Sequence, residues 1–179
     1  MNPKKIVITG GPGSGKTSII TLLKDNGFKC YDEISRQVTL QAQKDGIEQL
    51  FLTEPLLFSE KLLEGRIEQF LNAKVEKTET VFLDRGIPDV LAYMDYIGDD
   101  YPEHFIKACE INKYDAVFLL PPWKAIFTSD NERYENFEQS ETIHSHLADT
   151  YTKYGYNLIE VPFGTIKERV KFILQTLDM

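Results

Sequence analysis

The chain has 179 residues, of which 42% are hydrophobic and 12% aromatic, a composition that favours a compact globular domain over a disordered chain. Acidic residues outnumber basic ones by 28 to 20, and the resulting net charge of -8 disfavours general binding to nucleic acid. Two cysteines are too few for a disulfide framework, and no apolar run reaches the roughly 20 residues of a membrane-spanning helix. We therefore expect a cytoplasmic protein that binds neither nucleic acid nor membranes.

Short strand-like runs alternate with helical patterns along the chain. Strands are predicted over residues 4–9, 28–31, 80–84, 115–120 and 156–161, and helices over 16–26, 32–46, 55–77, 88–97, 102–112, 139–154 and 165–177. This alternation predicts a three-layer α/β fold whose parallel sheet has five strands, with right-handed crossovers and helices on both faces. We predict one domain over residues 1–179, with a lid-like loop at about 123–138.

The segment between the first strand and the first helix, GGPGSGKT at 10–17, matches the phosphate-loop pattern G-x-x-x-x-G-K-[ST]. Glycines let the backbone fold so that its N–H groups surround phosphate oxygens, and the following helix directs its positive end to the same place. The Lys16 ammonium can reach the β- and γ-phosphates, and the Thr17 hydroxyl can bind Mg²⁺. The segment therefore predicts a site for ATP or GTP with magnesium. The residues predicted to contact the nucleotide are Gly11, Pro12, Gly13, Ser14, Gly15, Lys16, Thr17 and Ser18.

The third predicted strand ends at Asp84, directly before Arg85. A carboxylate at this position can hold Mg²⁺ opposite Thr17. Many motor-type ATPases carry a water-activating glutamate directly after this aspartate, so its absence argues against a dedicated hydrolase. Arg85 is instead suited to bind a phosphate or an acceptor substrate.

The segment YDEISR follows the second predicted strand and contains Glu33 and Arg36. Three residues apart in a predicted helix, they share one face. The carboxyl end of this strand should lie beside the phosphate loop, where Glu33 could accept the proton of an attacking hydroxyl while Arg36 orients the substrate. An ordinary surface pair at a helix start stays open as the alternative, and Asp32 is a lesser candidate for the base.

The polar stretch 123–138, with Lys124 and Arg133, is predicted to be a mobile loop. Such a loop can close over a nucleotide and bring Arg133 to the charge that develops on the transferring phosphoryl group. A solvated surface loop is the alternative.

Two further patterns resemble functional motifs, but their positions in the predicted fold argue against those functions. The run NKYD at 112–115 has the letters of a guanine-reading motif but precedes its strand, so we expect it at the wrong edge of the sheet. His144 and His146 lie two residues apart on a predicted helix and point in different directions, which disfavours a metal site.

Several segments, together with Arg133, resemble a known family. These segments are GGPGSGKT, DEISR, FLDRGIPD, LLPPW and GYNLIEVP. It is the predicted AAA-type ATPase family that includes the ribosylnicotinamide kinase domain of the bacterial NAD-biosynthesis regulator. The resemblance covers nearly the whole chain and implies a P-loop kinase with strand order 2-3-1-4-5. It implies that Lys16, Thr17 and Asp84 bind nucleotide and magnesium, that Glu33, Arg36 and Arg85 face the acceptor, and that Arg133 belongs to a lid. One departure is that this lid has a single arginine, where such kinases often have two or more.

The leading hypothesis is therefore an enzyme that transfers the γ-phosphoryl group of Mg-ATP to a nucleoside-like or nucleotide-like acceptor. Its predicted catalytic residues are Lys16, Glu33, Asp84 and Arg133. A nucleotide-dependent regulatory switch and a slow ATPase without a small acceptor are the alternatives. The sequence leaves open the acceptor, the choice between ATP and GTP, and the oligomeric state.

Overall fold

The structure, a computed structural model, describes residues 2–127 and 135–179. One sheet of five parallel strands has the order β2-β3-β1-β4-β5, which confirms the predicted kinase-like order. The strands are β1 (Lys4–Gly10), β2 (Lys29–Tyr31), β3 (Thr80–Asp84), β4 (Ala116–Leu120) and β5 (Leu158–Glu160). The helices of the described ranges are α1 (Lys16–Asp25), α2 (Ser35–Lys44), α3 (Leu50–Thr53), α4 (Pro55–Val75), α5 (Ile87–Ile97), α6 (Glu103–Ile111), α7 (Phe137–Lys153) and α8 (Ile166–Thr176).

The sheet separates two hydrophobic cores, because successive side chains of a strand point to opposite faces. Val7 of β1 packs in the core beneath α4, α5, α6 and α7. Its neighbours Ile6 and Ile8 pack in the other core, beneath α1 and α8. These two cores account for the strongly apolar strands and establish the predicted three layers.

Helix α2 begins at Ser35, three residues later than the prediction of a helix from residue 32. The Glu33 carboxylate causes the difference, because its Oε1 atom accepts hydrogen bonds from the backbone N–H groups of Ile34 (2.9 Å) and Ser35 (3.1 Å). Acidic side chains are favourable in this position because the first N–H groups of a helix have no partners inside it. The short helix α3 was not predicted.

The stretch predicted to be a loop, 123–138, can be compared only at its two ends. Residues 124–126 form a turn, and α7 begins at Phe137, so the predicted helix start at 139 was two residues too late. Asn136 caps α7 by accepting a hydrogen bond from the N–H of Gln139 at 2.9 Å. The predicted lid residue Arg133 lies outside the described residues.

The strand order places the carboxyl ends of β1, β3 and β2 side by side on one edge of the sheet. Ile8 of β1 pairs with Asp84 of β3, so the phosphate loop begins next to the end of β3. The NKYD motif lies at the opposite edge, where the Asp115 carboxylate accepts a hydrogen bond from the backbone N–H of Lys5 at 2.7 Å. Its predicted position, at the edge of the sheet away from the phosphate loop, is thereby confirmed. Across the described ranges, every helix is too short or too polar to cross a membrane.

Candidate active site

The phosphate loop turns tightly between β1 and α1. Gly13 and Gly15 have φ angles of 73° and 86°, in the left-handed region that glycine adopts most readily. A methyl group on Gly13 would collide with the ring of Phe127, which covers the outside of the loop. The loop is also tied to α7, because the Ser140 hydroxyl donates to the Pro12 carbonyl at 2.9 Å.

Lys16, the first residue of α1, forms a buried ion pair with Asp84 at the end of β3. Burial lowers the pKa of Lys16, and the nearby charge of Arg85 lowers it further, although Asp84 opposes both. Thr17 and Ser18 are exposed on the first turn of α1. The two residues predicted to bind the phosphates and the metal, Lys16 and Asp84, are thus brought into direct contact.

Glu33 lies at the centre of a cluster of charged side chains just beyond the ends of β2 and β3. Its Oε1 atom is 2.7 Å from Nη2 of Arg66, and its Oε2 atom is 2.5 Å from Nε of Arg85. Burial raises the pKa of Glu33, but the charges of Arg66, Arg85 and Lys16 outweigh that effect and hold the pKa well below its ordinary value. Glu33 is therefore ionised and tightly held at neutral pH.

Arg66 is a member of this cluster that the sequence did not reveal. It lies in the middle of α4 with 3% of its surface exposed. Besides Glu33, it binds the backbone carbonyl of Asp84 through Nη1 at 3.2 Å. It therefore joins the glutamate after β2 to the last residue of β3.

Arg36, the predicted neighbour of Glu33, and Asp32, the lesser candidate for the base, lie outside this cluster. Arg36 is exposed on the first turn of α2, whereas Glu33 precedes that helix, so the two do not share a helix face as predicted. Asp32 pairs with Lys24 at 2.5 Å in an exposed ion pair. The structure therefore joins Glu33 and Arg85, but not Asp32, in one partly buried cluster.

Asp89 anchors the same cluster from α5 and was not predicted as a functional residue. Its buried carboxylate accepts hydrogen bonds from Thr9 (2.5 Å), the N–H of Gly86 (2.8 Å) and the hydroxyl of Tyr151 (2.5 Å). Arg85 contacts it at 3.3 Å through Nη1. Asp89 thus fixes the position of Arg85 and ties β1, α5 and α7 together.

Replacing Tyr151 with phenylalanine is expected to lower the free energy of unfolding by about 1.5–3 kcal/mol, because a buried carboxylate loses a donor. Burial raises the pKa of Tyr151, so its hydroxyl keeps the proton that it donates to Asp89. Urea unfolding of the two proteins measures the difference.

The matched control is Tyr154→Phe. The Tyr154 hydroxyl is also buried, but among the described residues it has no hydrogen-bond partner. Its removal should therefore leave the free energy of unfolding unchanged or raise it slightly. Equal effects of the two substitutions would show that the bond to Asp89 contributes nothing.

A cleft of about 540 Å³ opens beside the phosphate loop, between α1 and α8. Its size is within the usual range of small-molecule sites. Gly13, Gly15 and Ser18 form the wall nearest the loop, and Trp123 and Ile126 form a second wall. The third wall consists of Gly164, Thr165, Ile166 and Arg169. Trp123 also stacks on Phe163, with ring centroids 5.0 Å apart.

A family model described as an AAA domain matches residues 5–169. Among the curated proteins, none matches the chain.

Several solved structures share the fold. A deoxyadenosine kinase from M. mycoides, with dCMP and a flexible dCDP bound, has 19% identity and a TM-score of 0.70 over 97% of this chain and 98% of its own. The NadR protein in complex with NR has 16% identity and a TM-score of 0.74 over 99% of this chain and 52% of its own. A thymidylate kinase from Candida albicans has 15% identity and a TM-score of 0.69 over 99% of this chain and 92% of its own. The arrangement of helices and strands is therefore that of P-loop nucleoside and nucleotide kinases.

Proposed function

Because this chain belongs to the AAA domain family, we propose that it transfers the γ-phosphoryl group of Mg-ATP to a small acceptor of nucleoside or nucleotide type. The observation that carries the proposal is the position of Glu33. Arg66 and Arg85 hold it within electrostatic reach of Lys16. The phosphate loop, which would hold an anionic nucleotide, thus adjoins a second polar site. A protein that only binds a nucleotide has no need of the second site.

On the donor side, the backbone of residues 11–18 would surround the phosphates. Lys16 would turn from Asp84 to the β- and γ-phosphates and stabilise the charge of the transferring group. The Asp84 carboxylate and the Thr17 hydroxyl are oxygen ligands of the kind that Mg²⁺ prefers, so the residues fit this ion. Bound there, Mg²⁺ would neutralise charge on the phosphate oxygens.

On the acceptor side, Glu33 would receive the attacking hydroxyl. In the structure two arginines keep its pKa too low for it to take a proton readily. An acceptor that replaces one arginine at the carboxylate would relieve this effect, and Glu33 could then act as the base. Arg85 and Arg36 would bind the acceptor, and Arg133 would complete the nucleotide site from the lid.

The alternatives use the nucleotide site alone. A slow ATPase would have to activate water. The residue after Asp84, where motor-type ATPases carry the glutamate for this task, is Arg85, a cation already bound to Glu33 and Asp89. A regulatory switch would bind nucleotide without needing Glu33. Both predict turnover that is independent of any added acceptor.

The test is to incubate the protein with Mg-ATP and a panel of nucleosides and nucleotides that includes ribosylnicotinamide. We expect at least one acceptor to raise ADP formation by about tenfold or more, since phosphoryl transfer depends on positioning the acceptor. Lys16→Ala protein in the same assay identifies ADP from contaminating enzymes. If no acceptor in a broad panel raises the rate above that of ATP alone, the kinase proposal is wrong.

A further inference from the structure

The cleft beside the phosphate loop contains a buried arginine, Arg169 of α8, that the sequence analysis did not single out. Only 2% of its surface is exposed. Its Nη1 atom donates to the backbone carbonyl of Ser14 at 2.9 Å, and its guanidinium carbon lies 5.7 Å from the ring centroid of Trp123. Arg169 is therefore fixed between the phosphate loop and one wall of the cleft.

The other two nitrogens of this guanidinium, Nε and Nη2, are buried and have no hydrogen-bond partner among the described residues. Burial without a partner is costly for a charged donor, and burial accordingly lowers the pKa of Arg169. The two nitrogens carry adjacent N–H groups on one edge of a planar group, a geometry that suits paired or single acceptors in a flat ligand. A ligand of the cleft would thus supply, to at least one of these nitrogens, an acceptor that the described residues do not provide.

The surroundings indicate what kind of ligand this is. The cleft is continuous with the phosphate loop through Gly13 and Gly15, so a nucleotide whose phosphates occupy the loop would extend its base into it. Trp123 and Ile126 give it apolar walls, and Trp123 packs on the Arg169 guanidinium. Among the described residues that line the cleft, Arg169 is the charged one, and it offers only donors.

We propose that Arg169 donates a hydrogen bond to N7 of the purine base of the bound triphosphate. N7 is an acceptor on the exposed edge of both adenine and guanine, and pyrimidines have no counterpart of it. Nε and Nη2 are buried, and the Trp123 ring lies 5.7 Å from the guanidinium carbon, so the proposal requires the Trp123 side chain to move aside when the base binds. This inference rests on the proposed function, because it requires that a nucleoside triphosphate occupy the phosphate loop.

The first test needs no substitution. ATP and 7-deaza-ATP, in which carbon replaces N7, are titrated with Mg²⁺ into the wild-type protein in a calorimeter. We expect 7-deaza-ATP to bind about ten- to a hundredfold more weakly, the usual effect of losing a hydrogen bond from a charged donor. Equal affinities for the two nucleotides would overturn the inference.

Arg169→Met separates a contact with the base from a structural role. Loss of the bond to Ser14 can weaken the binding of both nucleotides, so the informative quantity is the ratio of their dissociation constants. We expect this ratio to fall to near one in Arg169→Met and to keep its wild-type value in Lys171→Met, which removes an exposed cation from the same helix. A ratio unchanged by Arg169→Met would assign the N7 effect to another group and overturn the inference.

The outcomes also distinguish this inference from the proposed function. If neither nucleotide binds, both are wrong. If both bind equally well and an acceptor is still phosphorylated, the proposed function stands and the role of Arg169 is wrong. The single tryptophan of the chain, Trp123, provides a second signal, because displacement of its side chain should change its fluorescence when ATP binds.

Discussion

Replacing Lys16 with alanine is expected to lower acceptor-dependent phosphoryl transfer by about 100- to 1,000-fold, the effect of removing one strong donor to developing charge. In the structure the ammonium lies buried against Asp84, where burial lowers its pKa. A bound triphosphate would provide the negative charge that keeps the Lys16 ammonium protonated. The attraction between this ammonium and the phosphate oxygens would then grow as charge develops on the transferring group. The initial rate of ADP formation at saturating acceptor measures the loss.

The control for this substitution is Lys24→Ala. Lys24 lies at the other end of the same helix and forms an exposed ion pair with Asp32. Exposed pairs contribute little, so transfer should change by less than about twofold. Transfer that survives in Lys16→Ala would remove the phosphate loop from the mechanism.

Replacing Glu33 with glutamine is expected to lower acceptor-dependent transfer by about 100- to 10,000-fold, the usual contribution of a general base, while ATP still binds. The amide cannot accept the proton of the attacking hydroxyl. The affinity for Mg-ATP should change little, because Glu33 bonds to Arg66 and Arg85 rather than to the phosphate loop. Parallel measurements of transfer and of ATP binding test this separation.

Asp32→Asn is the matched control, since it neutralises an adjacent but exposed carboxylate. It should leave transfer nearly unchanged. If Glu33→Gln also left transfer unchanged, Glu33 would have no role in chemistry, and a switch or an acceptor-independent ATPase would become the better account. If Asp32→Asn alone abolished transfer, the base would have been misassigned.

Glu33→Gln is also expected to change the free energy of unfolding in a way that depends on pH. The pKa of Glu33 is depressed in the folded protein, so its ion pairs stabilise the fold above the ordinary carboxyl pKa of 4.5 and lose this effect as the pH falls below that value. The difference in unfolding free energy between wild type and Glu33→Gln should therefore be largest near neutral pH and shrink in acid. A difference independent of pH would show that the ionised pair does not stabilise the fold.

The parts of the fold that follow a local pattern could be predicted from the sequence. The phosphate loop has its glycines at fixed spacing, and β1, β3 and β4 have buried apolar runs, so these parts were found. The position of Asp84 next to the phosphate loop followed from the family resemblance, which implied β3 beside β1, whereas its ion pair with Lys16 was not predicted.

The buried charges could not be predicted in the same way. Arg66 and Arg169 are single arginines in helices, where the sequence pattern suggests a solvated side chain. Both are buried because elements far away in sequence supply their acceptors, Glu33 for Arg66 and the carbonyl of Ser14 for Arg169. The start of α2 was misplaced for a related reason, since a carboxylate that caps a helix differs little in sequence from one inside its first turn.

Asp84 and Arg85 are consecutive residues with different partners, since Asp84 is bound to Lys16 and Arg85 is bound to Glu33. Arg85 makes this possible with a φ angle of 72°, and its N–H is held by the carbonyl of Ile8 at 3.0 Å. Neighbouring Cα atoms are about 3.8 Å apart across a trans peptide bond. In the proposed mechanism, the residue that faces the phosphate donor and the residue that faces the acceptor are therefore joined by a single planar peptide unit, which restricts how far these two side chains can move apart.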